Sequence, residues 1–364
     1  MIDWKKLLLD HIKDIETYQG VQSPESIADQ TGIPIEKIIK LNGNENPYGF
    51  SDLVKLHLGK YSDYNLYPDP SQLKIRNALS EYVNAKPRNI IAGNGADELI
   101  DLLIRIFVGI GDEVIIPTPT FGMYSFATEI VGGVVINVPR DGNYDLDVKA
   151  IISAVNDKTK IIFITSPNNP TGNIVSVEDI QALLETGVMV VLDETYYEFC
   201  KLTHLNLLSS NTNLVILRTF SKWAGLAGLR IGFGIMDEEL VNIIMAMKPP
   251  YNVSLAAEIA LLASLEDQQL LMSKVDLIVS ERIRMFTLLQ EIKEIKLYPS
   301  VANFILCEFK NGKGKEIYDN LCKKGIYLRY FAKPPLDDSI RISIGLPEHN
   351  DIVISEIKTI LNRS

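Results

Sequence analysis

The stretch TFSKWAGLAGLRIGF, residues 219–233, follows an apolar run, NLVILRTF (213–220), that is typical of a buried strand. It places Lys222 just beyond the strand, with the hydroxyl of Ser221 before it and Arg230 after a loop of small residues. An amine, a hydroxyl and a guanidinium at one strand end can converge on an anion. A partly desolvated lysine forms an imine with an aldehyde at neutral pH, because its pKa falls. The stretch therefore predicts a covalent site for a phosphorylated aldehyde, the alternative being two ordinary surface cations.

Four other apolar runs also end abruptly in polar or glycine residues and are followed by a helical segment. Continuous apolar runs that alternate with helical periods indicate a largely parallel sheet covered on both faces. In such sheets ligands bind beyond the carboxyl ends of the strands, where the unusual residues of this chain lie. The four runs are NIIAGNGADE (89–98), DEVIIPTPTF (112–121), TKIIFITSPNNPTG (159–172) and VMVVLDETYYEF (188–199).

The character of the sequence changes after about residue 250. A long helical stretch, residues 256–292, leads to short strand candidates at NFILCEF, IYLRYF and SIRISIG, which predicts a smaller α+β domain. The pair Pro249-Pro250 marks a hinge near this change. The predicted division is an N-terminal helical segment or arm (1–45), a large domain that holds the site (46–248) and a small C-terminal domain (249–364).

Composition narrows the class of protein. The chain has 364 residues, 46% of them hydrophobic and 23% charged, which is ordinary for a globular chain of two domains. Its formal net charge of -10 and its lack of a basic run argue against nucleic-acid partners. The 3 cysteines indicate neither a disulfide framework nor a zinc site, which fits a reducing cytoplasm. We also expect no membrane span, because no apolar run approaches about 20 residues.

The segment GNGADE, residues 93–98, predicts a phosphate site. A glycine turn there opens a helical segment, so the free amides of Gly95, Ala96 and Asp97 and the positive helix end would favour a phosphate. As a dinucleotide fingerprint the segment is defective, because Glu98 stands where the third glycine should be.

Three other strand ends carry candidate residues. Phe121 could stack on a flat ligand or be a core aromatic, and Asn169 could offer a hydrogen bond or belong to a plain turn. Asp193 ends a central apolar run, where a carboxylate without a cationic partner is costly. A pyridinium nitrogen would be a suitable partner, with Tyr196 reaching a ring oxygen from the same side. The alternative for Asp193 is a helix N-cap.

Six motifs taken in order resemble those of the fold-type I pyridoxal-phosphate aminotransferases, and most closely those of the histidinol-phosphate branch. The motifs are NENPYG (44–49), GADE, PTF, SPNNPTG, VLDETY, and SK followed by GLAGLRIGF, and the resemblance covers essentially the whole chain. It implies an α/β fold with a large, mostly parallel-sheet domain and a smaller C-terminal α+β domain. It also implies a pyridoxal 5'-phosphate cofactor and transamination.

The resemblance assigns cofactor roles to individual residues. Lys222 would bond covalently to pyridoxal phosphate, Asp193 would hold its ring nitrogen, and Tyr196 and Asn169 would contact its ring oxygen. One departure from the family is Trp223, at a position where the side chain is usually small or modest, and it bears on the shape of the cofactor's surroundings. The other implied cofactor residues are Gly95, Ala96, Asp97, Thr219, Ser221 and Arg230 around the phosphate and Phe121 beside the ring.

A homodimer is implied by Tyr67 in NLYPDP, which matches a family tyrosine that reaches the neighbouring subunit's cofactor phosphate. For the substrate, Arg341 in SIRISIG matches the arginine that receives an anion, and Arg329 in YLRYF matches a second one in the histidinol-phosphate branch. Two arginines suit a phosphate dianion better than a carboxylate, unless Arg329 pairs with an acid or lies at the surface. Tyr18 resembles a tyrosine that closes over the substrate.

The reaction implied by the resemblance is transamination of L-histidinol phosphate with 2-oxoglutarate, giving imidazole acetol phosphate and glutamate, in histidine biosynthesis. An aromatic or broad-specificity amino-acid aminotransferase is the main alternative, and a phosphothreonine-type decarboxylase is another. A non-enzymatic regulator or an NAD-binding module would be a different class. Residues 26–41 have the spacing of a helix-turn-helix, but Pro34 stands where the recognition helix should begin, so we expect a helical pair at the entrance to the site.

Overall fold

The computed structural model describes residues 3–13, 15, 17, 18 and 20–362 of the chain. The strands are β1 (Ile39–Lys40), β2 (Ile90–Gly93), β3 (Glu113–Thr118), β4 (Val134–Pro139), β5 (Thr159–Thr165), β6 (Met189–Asp193), β7 (Leu214–Thr219), β8 (Gly232–Ile235), β9 (Ile295–Tyr298), β10 (Phe304–Phe309), β11 (Ile326–Tyr327), β12 (Arg329–Tyr330) and β13 (Ser339–Ser343). The helices are α1 (Pro24–Thr31), α2 (Asp52–Lys60), α3 (Leu73–Val83), α4 (Ala96–Phe107), α5 (Met123–Ile130), α6 (Val148–Ala154), α7 (Val177–Leu184), α8 (Tyr197–Cys200), α9 (Glu238–Met247), α10 (Leu255–Glu266), α11 (Gln268–Gln290), α12 (Gly314–Cys322) and α13 (Pro347–Leu361).

The large sheet has seven strands in the order β2-β8-β7-β6-β5-β3-β4. Its pairs are parallel except those of β8, which runs antiparallel to both β2 and β7. All five apolar runs of the sequence form strands here, which confirms the predicted large, mostly parallel sheet. The sequence did not predict β4 and β8. The edge strand β4 is only partly buried, and the four residues of β8 include two glycines, so neither is a continuous apolar run.

Both faces of this sheet are covered by helices. Alternate residues of a strand point to opposite faces, so Val190 and Leu192 of β6 join one buried apolar cluster while Val191 joins the other. Helices α3, α7, α10 and α11 contribute to the first cluster, and α4, α5 and α9 contribute to the second. Because both faces are buried, the central strands are apolar throughout and only their ends carry polar groups.

The C-terminal part contains a four-stranded antiparallel sheet in the order β12-β13-β10-β9. The predicted run IYLRYF is divided between two sheets, since β12 joins this sheet while β11 pairs in parallel with β1 from the N-terminal segment. The division at residues 45 and 248 stays a prediction. The helical pair expected for residues 26–41 is wrong, because α1 is followed only by a three-residue 3-10 turn, Ile35–Lys37, before β1, and the helix-turn-helix reading fails for the same reason.

The carboxyl ends of β3, β5, β6 and β7 meet at one edge of the large sheet, and the small antiparallel sheet places Arg329 and Arg341 beside that edge. The candidate residues therefore come from distant parts of the chain to one place. Within the described residues, no helix is both long and apolar enough to cross a membrane.

Candidate active site

A cavity of about 650 Å³ lies at this edge, between the large sheet and the small one. Most of the predicted site residues line it, so the structure brings together what the sequence proposed separately. They are Tyr18, Ala96, Asp97, Phe121, Asn169, Asp193, Tyr196, Thr219, Ser221, Lys222, Arg230, Arg329 and Arg341.

Lys222 lies at the bottom of this cavity, three residues after the end of β7. Its Nζ donates to the backbone carbonyl of Gly43 at 3.0 Å. Burial, and next the nearby charge of Arg341, lower the pKa of Lys222 from 10.5 to about 8. A substantial fraction of this amine is therefore neutral near physiological pH, as a nucleophile or a proton acceptor requires.

Asp193 ends β6 and is fully enclosed. Its Oδ1 accepts from the backbone N–H of Thr195 at 2.9 Å, and its Oδ2 accepts from the hydroxyl of Tyr124 at 2.7 Å. Burial raises the pKa of this carboxyl above its ordinary value. No basic side chain of the described residues forms an ion pair with Asp193, so a protonated ring nitrogen is the type of partner that its position would favour.

An ion pair holds the residues around Asp193 and Lys222 in place. Glu194 accepts from Nε and Nη2 of Arg218, in β7, at 3.0 and 2.8 Å, and both side chains are buried. Thr203 and the backbone N–H of His204 also donate to Glu194. Because every charge here is hydrogen-bonded, the network fixes the ends of β6 and β7 relative to each other.

An anion cup lies at the start of α4. Gly95 precedes this helix with a φ of 82°, a conformation that favours glycine, and leaves the amides of Ala96 and Asp97 at the helix end. A Cβ on Gly95 would lie 2.4 Å from Nη2 of Arg230. That side chain donates to Asp97 at 2.8 Å. The amides, the guanidinium and the linked hydroxyls of Ser221 and Thr219, 2.9 Å apart, suit a phosphate dianion.

Arg329 and Arg341 add two guanidinium groups to the lining of the cavity. They are direct cross-strand partners in the antiparallel pair β12–β13, so both side chains lie on the same face. Arg341 donates to the carbonyl of Asn42 and to Oδ1 of Asn169, each at 2.6 Å, while its buried Nε has no partner among the described residues. Burial lowers the pKa of Arg341 to about 10.

Aromatic rings border the cavity beside β3. Tyr18 meets Phe121 edge to face, with ring centroids 6.1 Å apart, and also approaches Phe126. Phe121 in turn meets Tyr124 edge to face at 5.6 Å. Burial raises the pKa of Tyr18, which is consistent with its partly covered position over the cavity.

Two predicted site residues do not line the cavity. Gly95 acts through the turn described above, and Tyr67 lies on the surface with 78% of its side chain exposed, stacked on Tyr251 at 4.3 Å. Trp223 also lies outside the cavity. It is fully buried and stacks on Tyr82 at 5.6 Å, so the bulk that departs from the family pattern is accommodated in the core.

Several residues of the site were not predicted from the sequence. Asn42, Gly43 and Asn44 line the cavity, and the side-chain amide of Asn44 donates to the hydroxyl of Tyr196 at 2.9 Å. The polar cluster NGNEN before Pro47 was an available signal for this loop. Tyr124, which holds Asp193, has no such signal, because it lies inside a helical segment that reads as ordinary core.

Comparison with known proteins places these features in a family. Residues 36–357 match the model for aminotransferase class I and II. A histidinol-phosphate aminotransferase from Dehalococcoides mccartyi is 43% identical over 347 residues, covering 95% of this chain and 96% of the relative. Histidinol-phosphate aminotransferase 1, chloroplastic, from Arabidopsis thaliana is 40% identical over 96% of this chain and 84% of its own length. The crystal structure of histidinol-phosphate aminotransferase from Sinorhizobium meliloti in complex with pyridoxal-5'-phosphate aligns with a TM-score of 0.88 and 25% identity, over 97% of this chain and 98% of that one.

Proposed function

This chain belongs to the class I and II aminotransferases, and from that membership we propose that it transfers the amino group of L-histidinol phosphate to 2-oxoglutarate, with pyridoxal 5'-phosphate as cofactor. The products are imidazole acetol phosphate and glutamate, and the reaction belongs to histidine biosynthesis. Relatives named histidinol-phosphate aminotransferase, which match nearly the full length of the chain, support this assignment.

The residues of the cavity suit pyridoxal phosphate. The cup at the start of α4, with Ser221, Thr219 and Arg230, would hold the phosphate, and the buried carboxylate of Asp193 would hold the ring nitrogen in its protonated form. Asn169 and Tyr196 would contact the ring oxygen. When bound, the cofactor supplies an aldehyde that bonds to amines and an electron-poor ring that makes the α-hydrogen of a bound amine acidic.

Lys222 has two roles in this proposal. Its amine, whose pKa burial lowers to about 8, would bind the aldehyde of the cofactor and would accept, at Nζ, the proton of the substrate's α-carbon. The hydrogen bond from Nζ to the carbonyl of Gly43 supports these roles, because it holds the amine at the cavity.

The observation that carries the substrate assignment is the cross-strand pair Arg329 and Arg341, both of which line the cavity. Two guanidinium groups on one face of the sheet can both contact the oxygens of a phosphate dianion. Histidinol phosphate offers a phosphate and no carboxylate. The carboxylate of 2-oxoglutarate needs only one bidentate guanidinium, which Arg341 provides.

A substrate panel tests the proposal. The purified protein with 2-oxoglutarate is given L-histidinol phosphate, phenylalanine, tyrosine or phosphothreonine, and ketone, glutamate and carbon dioxide are measured. We expect the highest kcat/KM for histidinol phosphate, with glutamate formed in step. A higher value for phenylalanine or tyrosine would indicate the aromatic aminotransferase, and carbon dioxide from phosphothreonine would indicate the decarboxylase.

We also propose that the working unit is a cytoplasmic homodimer. The exposed, stacked pair Tyr67 and Tyr251 forms an aromatic surface that a second copy would cover, which supports the role of Tyr67 at the neighbour's phosphate cup. The cysteines Cys200, Cys307 and Cys322 are all free, which supports a reducing compartment. Sedimentation at several protein concentrations, with Tyr67→Ala for comparison, would measure the assembly.

A further inference from the structure

Asn44 lies in the loop between β1 and α2, at the point where this loop passes between the small sheet and the cavity. Only 2% of the residue is exposed, and its φ of 52° is a conformation that few side chains adopt. Its neighbours also touch the site, since Asn42 offers its carbonyl to Arg341 and Gly43 offers its carbonyl to Lys222. The loop therefore contacts the reacting end and the anion-binding end of the cavity.

The hydrogen bonds of Asn44 fix which way its amide points. Its backbone N–H donates to Oγ of Ser343 at 2.9 Å, and Oγ of Ser343 donates back to Oδ1 of Asn44 at 2.8 Å. Because the serine oxygen already accepts from the backbone, its own proton is free for Oδ1. Oδ1 must then face Ser343, and Nδ2 must face Tyr196, with the backbone held further by the bond from Asn303 to the carbonyl of Asn44.

This orientation also decides the direction of the Tyr196 proton. Nδ2 of Asn44 donates to the phenol oxygen at 2.9 Å, so that side of the oxygen acts as an acceptor. The phenol proton has to point elsewhere, and Tyr196 lines the cavity without another hydrogen-bond partner among the described residues. The O–H of Tyr196, the last donor in this series of hydrogen bonds, is therefore directed into the cavity.

We propose that Asn44 is a positioning residue that directs the hydroxyl proton of Tyr196 toward the ring oxygen of the bound cofactor. The inference rests on the proposed function only in assuming that the cavity binds pyridoxal phosphate. A donor aimed at a developing negative charge stabilises it without reorganisation at the moment of reaction. Asn44 belongs to the loop that Ser343 and Asn303 tie to the small sheet, so the direction of this proton depends on how that sheet sits over the cavity.

A double-mutant cycle with Tyr196→Phe tests the proposal. Asn44→Gly removes the donor and keeps a residue that adopts φ of 52° without strain. Two quantities are measured in each variant: the pH midpoint of the visible absorption of the bound cofactor, and the single-turnover rate with histidinol phosphate. Asn303→Ala is the matched control, because it loosens the same loop without removing a hydrogen bond to Tyr196.

We expect Asn44→Gly and Tyr196→Phe each to raise the pH midpoint of the cofactor's visible absorption by on the order of one pH unit, because the negative charge on the ring oxygen loses its hydrogen-bond donor. The double variant should shift no further than Tyr196→Phe alone, and the two losses in rate should likewise not add. Asn303→Ala should give effects that add to those of Tyr196→Phe.

An unmoved midpoint in Asn44→Gly, or full additivity with Tyr196→Phe, would overturn the proposal. If Asn44→Gly does not fold, Asn44→Ala takes its place in the cycle, since it also removes the donor and adds no group that can hydrogen-bond to Tyr196. A wild-type protein that ignores histidinol phosphate but binds the cofactor would refute the proposed substrate alone, and the midpoints would still decide the role of Asn44. A protein that binds no pyridoxal phosphate would refute both.

Discussion

At the scale of single residues, burial determines the chemistry of the site. The same enclosure lowers the pKa of Lys222 and raises that of Asp193, because removal from water disfavours the charged form of each group. The amine becomes reactive near neutral pH. The carboxylate of Asp193 becomes a group that a cationic ligand would stabilise. The opposite pKa shifts of Lys222 and Asp193 therefore agree with the roles proposed for these two residues.

Replacing Lys222 tests its role as nucleophile and base. We expect Lys222→Ala to lower kcat by about three orders of magnitude or more, because both functions of the amine are lost. Pyridoxal phosphate should still bind noncovalently through the phosphate cup and Asp193, as equilibrium dialysis would measure. The exposed Lys201→Ala is the control. Near-normal turnover in Lys222→Ala would contradict the assignment.

The pH dependence of Lys222 follows from the direction of its shift. A lowered pKa means that the amine loses its proton as the pH rises through about 8, and the neutral amine is the reactive form. In the cofactor-free protein, the rate of labelling at Lys222 by an amine-reactive reagent should therefore rise with a midpoint near pH 8, read by peptide mass analysis. A midpoint near the ordinary value of 10.5 would show that the amine is not desolvated.

Asp193→Asn separates the charge of this residue from its shape. The amide can still accept from the backbone of Thr195, so we expect only a small change in melting temperature. Turnover should fall by about a hundredfold or more, because a neutral amide cannot keep the ring nitrogen protonated. An unchanged rate in the folded variant would refute the electrostatic role of Asp193.

At the scale of elements, strands of the two sheets supply the residues that are proposed to contact the substrate. The carboxyl ends of β6 and β7 present Asp193 and Lys222, and the β12–β13 pair presents two guanidinium groups on one face. The strand ends therefore define a reacting end and an anion-binding end of one cavity. The start of α4 adds the amide cup proposed for the cofactor's phosphate, so the proposal assigns the two phosphates to different elements.

Arg329→Gln tests whether Arg329 of β12 binds the substrate phosphate in addition to Arg341 of β13. Loss of one charge-assisted bond should cost histidinol phosphate about 1.5 to 3 kcal/mol in transition-state binding. The half-reaction with 2-oxoglutarate should suffer less, because Arg341 alone can hold its carboxylate. Single-turnover rates for each substrate measure the asymmetry, with Arg329→Lys as the charge-preserving control. Equal losses, or none, would remove the argument for a phosphate.

Five of the seven strands of the large sheet could be predicted from the sequence, and there is a physical reason for this. The five strands of the large sheet that it identified consist mainly of apolar residues because the sheet is covered on both faces, whereas β4 is partly exposed on an edge and β1 is two residues long. The strand ends carried the motif residues. The contacts of Asn44 and Tyr124 could not be predicted, because they join residues 152 and 69 positions apart and depend on how the two sheets pack.

At the scale of the whole molecule, the cavity lies between two sheets that the chain assembles from distant segments. The N-terminal strand β1 pairs with β11 of the C-terminal part, and the loop that follows β1 lies under Arg341 and beside Lys222. One short loop therefore contacts both Arg341, which is proposed to bind the substrate, and Lys222, which is proposed to react with it.

We expect this enzyme to recognise the phosphate of histidinol phosphate. Comparison of that substrate with L-histidinol, which is identical except for the phosphate, tests this recognition. The measured quantity is the rate at which each compound, in single turnover, converts the cofactor-loaded protein to its aminated form, followed by the loss of visible absorption. We expect histidinol phosphate to react with a kcat/KM at least about a hundredfold higher, in line with two charge-assisted contacts. Equal values for the two compounds would contradict the account.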